Sequence, residues 1–386
     1  MIEVLGAHVV LADRVLSHGT VLIDGGRILE IRTGSAGAGP AAQVSGQYVV
    51  PGFIDVHVHG VLGADTLDGE GAVQRIARLL PRFGVTAFCP TSIACAPETL
   101  RAMLAEVRSA RAQAADGAAR VLPAHLESNF INPDFKGAQP LGCLRSPCGA
   151  TDAGDFTGAD ILSEIAAARA EVGIVTLAPE LDGALDLIRE LVAHGHTVSL
   201  GHSGATYEQA RAGIEAGARH ATHLFNRMTP VGHRAPGLAG AALDSPDVIA
   251  EIVCDGRHVH PAVVRLAHAA KGHSGLMAVT DGTAGSGLPR GARASLGGRP
   301  ITVGDVALLE DGTIAGSVLT MDRAFRMLVR TAGLDVVTAA QMCATTPACA
   351  LGLEGRGSIE PGFIADLVVL DEDFHVLHTI NDGNVV

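Results

Sequence analysis

The sequence predicts an α/β protein: a (β/α)8 TIM-type barrel carrying a small β-sandwich domain built from both termini. Three observations predict it. From residue 51 to about 354, eight strand-length apolar runs alternate with helical stretches, the pattern of βα units closing on a parallel sheet. Both ends of the chain read instead as short strands broken by Gly-rich turns. No G-x-G-x-x-G opens a helix after a strand, which disfavours a doubly wound open sheet.

Residues 1–50 supply IEVLGAHVVLAD, GTVLIDGGRILEIRTG and QYVV, with a tight turn at Asp24-Gly25-Gly26. Residues 355–386 return to that texture in GSIEPGFIADLVVLDEDFHVLHTINDG, so one β unit split between the termini would clamp the barrel. Between them, residues 51–354 offer candidate strands at 52–59, 85–92, 119–127, 173–179, 197–202, 220–225, 248–254 and 275–280. The intervening stretches PETLRAMLAEVRSARAQAA, DGALDLIRELVAHG and TYEQARAGIEAG have helical spacing, with Gly near the ends of the last two. ASLGGRPITVGDVALLEDGTIAG predicts a β-hairpin inserted near 294–315, and GSVLTMDRAFRMLVRTAG a closing helix.

Composition narrows the function. At 386 residues and 47% hydrophobic, the chain can bury a large core. A net charge of -13 argues against a nucleic-acid partner, which needs a basic stripe. No run approaches the roughly 18 apolar residues of a membrane span, and MIEVLGAHVV has no basic segment before an apolar one. Seven Cys without a C-x-x-C pair fit a reducing compartment. The expectation is a soluble cytoplasmic protein with no membrane partner.

The candidate chemistry lies at strand ends. In PGFIDVHVHG, residues 51–60, period-2 alternation puts His57 and His59 on one strand face, where two imidazoles can grip one metal ion. Hydrogen-bonded core histidines are the competing reading, and this stretch alone does not choose. The C-terminal ends of other candidate strands add Glu127, His202, His223 and Asp281, all metal-ligand types at the edge where barrel enzymes place chemistry. Chance placement of 17 His and 41 acids would not favour one edge, so the set reads as a divalent-metal centre. Zn, Fe, Co and Mn all suit such donors. His125 shares a strand face with Glu127 and either lines the site or fills the barrel. Ser203, beside His202, lacks the G-x-S-x-G elbow of a nucleophile.

PGFIDVHVHG, HLESNFINPDFKGAQP, APE, GHSGATYEQARAGIEAGARHATHLFNRMTP, HRAPGLAGAALDSPDV, DGRHVHP, VTDGTAGSG and AGSVLTMDRA together resemble the N-acetylglucosamine-6-phosphate deacetylases of the amidohydrolase superfamily. The resemblance covers essentially the whole chain, and THLFN followed by HR-x-PG is its most specific part. It implies conversion of N-acetylglucosamine-6-phosphate to glucosamine-6-phosphate and acetate. Glu127, His202 and His223 would hold the metal site shared across the family, and His57 and His59 a second one, giving two ions. Asp281 would be general base and acid as well as a ligand. His258 would contact the acetamide carbonyl. Arg234 and the backbone after Asn226, at Arg227, would bind the phosphate, and Ala138 and Gln139 the sugar. In the family that Arg comes from the neighbouring subunit, which implies a homodimer. Many binuclear relatives bridge their metals with a carboxylated Lys at the fourth strand; here that strand ends Ala178-Pro179-Glu180, while Lys136 lies in a loop and Lys271 on a helix. Glu127 is therefore the bridging candidate.

Two departures bear on substrate. Ser128-Asn129 stand where the family has Gly-Pro, and Gln139 where it has a His that touches sugar hydroxyls. The latter opens N-acetylgalactosamine-6-phosphate as an alternative substrate. A cyclic amidase or deaminase and a non-catalytic barrel are the rival classes. THLFN and HR-x-PG oppose the first, and the intact ligand set opposes the second.

Overall fold

Eight parallel strands form the centre: β1 (Phe53–Val58), β2 (Val85–Ser92), β3 (Ala124–Glu127), β4 (Val172–Leu177), β5 (Thr197–Leu200), β6 (His220–Ala221), β7 (Ile249–Val253) and β8 (Leu276–Val279). Each pairs with its neighbour in sequence. The seam between β8 and β1 is closed by the amides of His59 and Gly60, which donate to the Gly282 carbonyl at 2.8 and 2.9 Å. Asp55 reinforces it by accepting the Thr280 hydroxyl at 2.6 Å and amide at 3.2 Å. Burial dominates its acidity and, against those bonds, lifts Asp55 to about 6. The computed structural model describes residues 1–34, 42–148 and 154–386, so residues 35–41 of the predicted terminal unit lie outside the described residues.

The strands are buried on both faces because helices cover the outside. Pro97–Ala112 starts with Pro in its first turn, where the missing N–H costs nothing. Gly158–Ala167 and Tyr207–Glu215 open with capping boxes, Thr157 with Asp160 and Thr206 with Gln209. The predicted closing helix runs over Met321–Arg326 and widens to a π-helical turn at Met327–Thr331. Among the described residues no helix is long and apolar enough to cross a membrane.

Strands from both termini make one seven-stranded sheet, in which Leu367–Leu370 pairs antiparallel with Ala42–Pro51. Its edge strand Arg27–Thr33 meets residues 362–364 again, through Ile28 N–H to the Phe363 carbonyl at 2.9 Å. The sheet thus curls around its own apolar cluster of Val4, Val21, Ile28, Val49, Leu367 and Ile380. Buried Arg356 links it together by donating to Asp366 and, at 2.5 Å, to Asp382.

The insertion differs from the predicted hairpin. It has three antiparallel strands, Arg293–Leu296, Arg299–Val303 and Ala307–Leu309. The Gly304-Asp305 turn is tight enough for Ala307–Leu309 to fold back on the second strand. Ile301, Val303, Ala307 and Leu309 give this sheet its own small core, and Asp65 ties it to the barrel by accepting the Gly297 amide at 2.8 Å.

Candidate metal centre

The strand ends stop earlier than the apolar runs do. β5 ends at Leu200 and β6 at Ala221, so His202 and His223 sit on the turns that follow. Both have left-handed backbone, with φ of 47° and 31°, as do Phe225 at 76°, Arg227 at 50° and Asp281 at 49°. Five non-glycine residues in that region around one cavity mark strain that the surrounding fold enforces. These turns swing the imidazoles and the carboxylate over the barrel mouth.

Two trios result, each with donor atoms within 4.8 Å of one another: Glu127, His202 and His223; and His57, His59 and Asp281. In the first, Glu127 Oε1 lies 2.8 Å from His202 Nε2 and 2.9 Å from His223 Nε2, and the two nitrogens are 3.0 Å apart. In the second, His57 Nε2 and His59 Nε2 are 3.2 Å apart, and Asp281 Oδ1 lies 3.5 and 3.3 Å from them. Glu127 also faces this trio, with Oε2 3.5 Å from His59.

The donor chemistry fits divalent cations. The Phe135 carbonyl can only accept, so His202 Nδ1–H donates to it at 2.8 Å. Likewise His57 Nδ1–H donates to Glu251 Oε2 at 2.8 Å. Each ring, when neutral, then turns a lone pair on Nε2 toward other nitrogen and carboxylate donors, an arrangement that needs a positive centre among them. Burial by itself would lower His57, but Glu251, with Asp281 and Glu127, outweighs it and lifts His57 to about 10. A proton at Nε2 is the competitor a cation displaces. Burial pushes Glu127 and Asp281 up, yet the neighbouring histidines prevail and hold both carboxylates below their ordinary range.

The remaining candidates divide. His258 lines the same cavity of about 400 Å³, together with Ala138, Gln139, Asn226 and Arg227. Its Nδ1–H donates to Asp255 at 2.6 Å, leaving Nε2 free for a ligand, and Asp255 outweighs burial to raise its pKa. The Asn226 amide is turned to the His223 and Leu224 carbonyls at 3.3 Å. Arg227 arches over Gly137, where a Cβ would meet its Nε at 3.0 Å. Gln139 is tied at both ends: Oε1 accepts the Ala94 amide at 2.7 Å and Nε2 donates to Glu127 Oε2. Arg234 is exposed and does not line this cavity.

Ser128 and Asn129 point into packing, to the carbonyls of Thr176 and of Cys95 and Cys143. His125 fills the barrel, bonded to the Val56 carbonyl at 3.0 Å and Thr176 Oγ1 at 2.8 Å, and burial lowers it to about 4. Ser203 donates to Glu180 at 2.7 Å. Glu251 was missed by sequence reasoning, as was Asp255. The signal for Glu251 was present: an acid in the middle of an otherwise apolar strand, IAEIV.

Residues 48–386 match the amidohydrolase family. The chain is 36% identical over 397 residues to the N-acetylglucosamine-6-phosphate deacetylase of Rattus norvegicus, covering 97% of this chain and 94% of that one. It is 35% identical over 333 residues to the N-acetylgalactosamine-6-phosphate deacetylase of Escherichia coli O157:H7, covering 86% and 85%. A solved structure of the Mycobacterium smegmatis N-acetyl-D-glucosamine-6-phosphate deacetylase D267A mutant, in complex with N-acetyl-D-glucosamine-6-phosphate, superposes with a TM-score of 0.89 at 32% identity, over 100% of this chain and 98% of that one.

Proposed function

We infer, from the premise that this chain belongs to the amidohydrolase family and to its N-acetylglucosamine-6-phosphate deacetylase branch, that it hydrolyses the acetamide of N-acetylglucosamine-6-phosphate. The observation that carries this reading is the pair of donor trios, five of whose six residues line one cavity together with His258. Glu127, His202 and His223 would hold one divalent ion, and His57, His59 and Asp281 a second, with Glu127 between them. Such an ion, when bound, supplies Lewis acidity and lowers the pKa of water from 15.7 toward about 7.

The chain's own groups do the rest. Asp281 accepts the proton of the attacking water and returns it to the departing amine nitrogen, a role supported by its carboxylate being held ionised and by its place in the cavity lining. His258, with Nδ1–H engaged by Asp255, presents Nε2 to the acyl oxygen as negative charge develops there. Arg227, Lys136 and Arg299 gather around residues 137–138, Lys136 donating to the Gly137 carbonyl at 3.2 Å and Arg299 to that of Ala138. Of the three, Arg227 lines the cavity and brings this basic cluster to its rim, which in a chain of net charge -13 suits the 6-phosphate. Asp134 also lines the cavity, so the rim is not purely cationic. Arg234 would add its guanidinium from a second copy, in a cytoplasmic homodimer. We assign the chemistry to residues 51–354 and a clamping role to 1–50 and 355–386.

N-acetylgalactosamine-6-phosphate is the second reading. Gln139, spent on Glu127 and Ala94, leaves the sugar without the contact that the family His provides. Acetate release from a panel of N-acyl hexosamine 6-phosphates tests both. Release from the gluco epimer is expected, with the galacto epimer slower; a metal-loaded protein that releases acetate from none of them refutes the deacetylase reading.

A further inference from the structure

One fully buried acid has no part in that mechanism. Glu251 projects from β7 into the barrel with no solvent exposure. Its Oε2 accepts His57 Nδ1–H at 2.8 Å and faces the His223 backbone amide at 3.4 Å. Its Oε1 has no hydrogen-bond partner. His125 Nδ1 comes no closer than 3.7 Å and is already bonded to the Val56 carbonyl. A buried carboxylate with one oxygen unpartnered carries a desolvation cost that a Leu or Val of the same strand would not. Its one short side-chain bond, to His57, is therefore where its use lies.

We infer that Glu251 is a positioning residue: it fixes His57 with the proton on Nδ1 and the lone pair on Nε2, and thereby sets the affinity of the His57, His59 and Asp281 trio for its ion. Three features carry this. A carboxylate can only accept, so the shared proton belongs to the ring and the opposite nitrogen is freed for a ligand. That nitrogen faces His59 Nε2 at 3.2 Å and Asp281 Oδ1 at 3.5 Å. His59 gets no such help, since its own Nδ1 has no partner, so Glu251 is the orienting group of this histidine pair among the described residues. The grouping of Glu251 with His57 and His125 is not a third ion site, because both His125 nitrogens are already hydrogen-bonded, to the Val56 carbonyl and to Thr176. The inference rests on the proposed reading that divalent ions occupy the two trios.

The test uses Co²⁺ added to chelator-stripped full-length protein, comparing wild type with Glu251→Gln and Glu251→Leu. Stoichiometry is read by mass spectrometry of the metal, affinity by chelator competition, and folding by thermal unfolding of the metal-free protein. Wild type should take two ions. Glu251→Gln should weaken one of them by about tenfold to a hundredfold, the usual effect of losing such a partner, and Glu251→Leu at least as much, with the other ion unchanged. The metal-free Glu251→Gln variant, which keeps a carbonyl oxygen for His57 Nδ1–H, should unfold close to wild type, and Glu251→Leu, which leaves that N–H without an acceptor, earlier. Wild type holding one ion, a Gln variant with both affinities intact, or equal weakening of both ions would each overturn the inference. Acetate release is assayed separately: selective loss of one ion in a protein that deacetylates nothing would leave the inference standing and refute the function.

Discussion

The two ligand trios are built differently. Glu127, His202 and His223 lie at or just past the ends of three different strands, and the shorter donor distances of the two trios, 2.8, 2.9 and 3.0 Å, are theirs. His57, in β1, and His59, just past its end, reach Asp281 across the barrel seam at 3.3 to 3.5 Å. The first trio is oriented partly by backbone, through the Phe135 carbonyl on His202. The second depends on a buried side chain, Glu251 on His57. A trio held by a backbone carbonyl and by its own short contacts is hard to loosen, while one that hangs on a single carboxylate is easy to tune. The first should therefore bind its ion more tightly.

Breaking each trio in turn gives the largest contrast. Glu127→Gln removes the donor that both trios share, so turnover should fall by at least about a thousandfold, the scale of losing an essential group, with metal analysis finding both ions weakened. His57→Asn should leave the Glu127 ion in place and lose the other. Equal loss of both ions in His57→Asn would erase the distinction between the trios.

Asp281→Asn separates ligand from proton carrier within the second trio. Turnover should drop about 10²- to 10⁴-fold, as for removal of a general base, while the Glu127 trio keeps its ion. Single-turnover acetate release at saturating substrate reads the loss directly. A variant within a few-fold of wild type would take Asp281 out of the proton-transfer role.

Much of this was readable in the sequence. The barrel follows from eight apolar runs separated by helical spacing, and five strand ends bring together all six residues of the two trios because strand direction and the barrel rule fix which ends converge. What escaped lies where side-chain packing decides. Whether Gln139 meets a sugar or the Glu127 carboxylate depends on the path of a loop that has no periodicity. Ser128 and Asn129 look like departures at the site but bond backward into packing. The third strand of the inserted sheet turns at Gly304-Asp305, within a stretch whose pattern reads as a single hairpin.

The smallest expected effect sharpens the comparison most. Gln139 orients Glu127 through a side chain much as Glu251 orients His57, but Glu127 Oε1 is also fixed by two histidines. Gln139→Met should therefore keep both ions at near wild-type affinity and lower turnover by no more than about tenfold, the low end for losing a ligand's hydrogen-bonded partner. Its cost should appear in stability, because the buried Ala94 amide loses its acceptor; an unsatisfied amide costs about 1–3 kcal/mol, measurable by denaturant unfolding of the metal-free protein. If Gln139→Met instead sheds an ion as readily as Glu251→Gln, both trios lean equally on one side chain, and the tighter distances of the first reflect no greater hold.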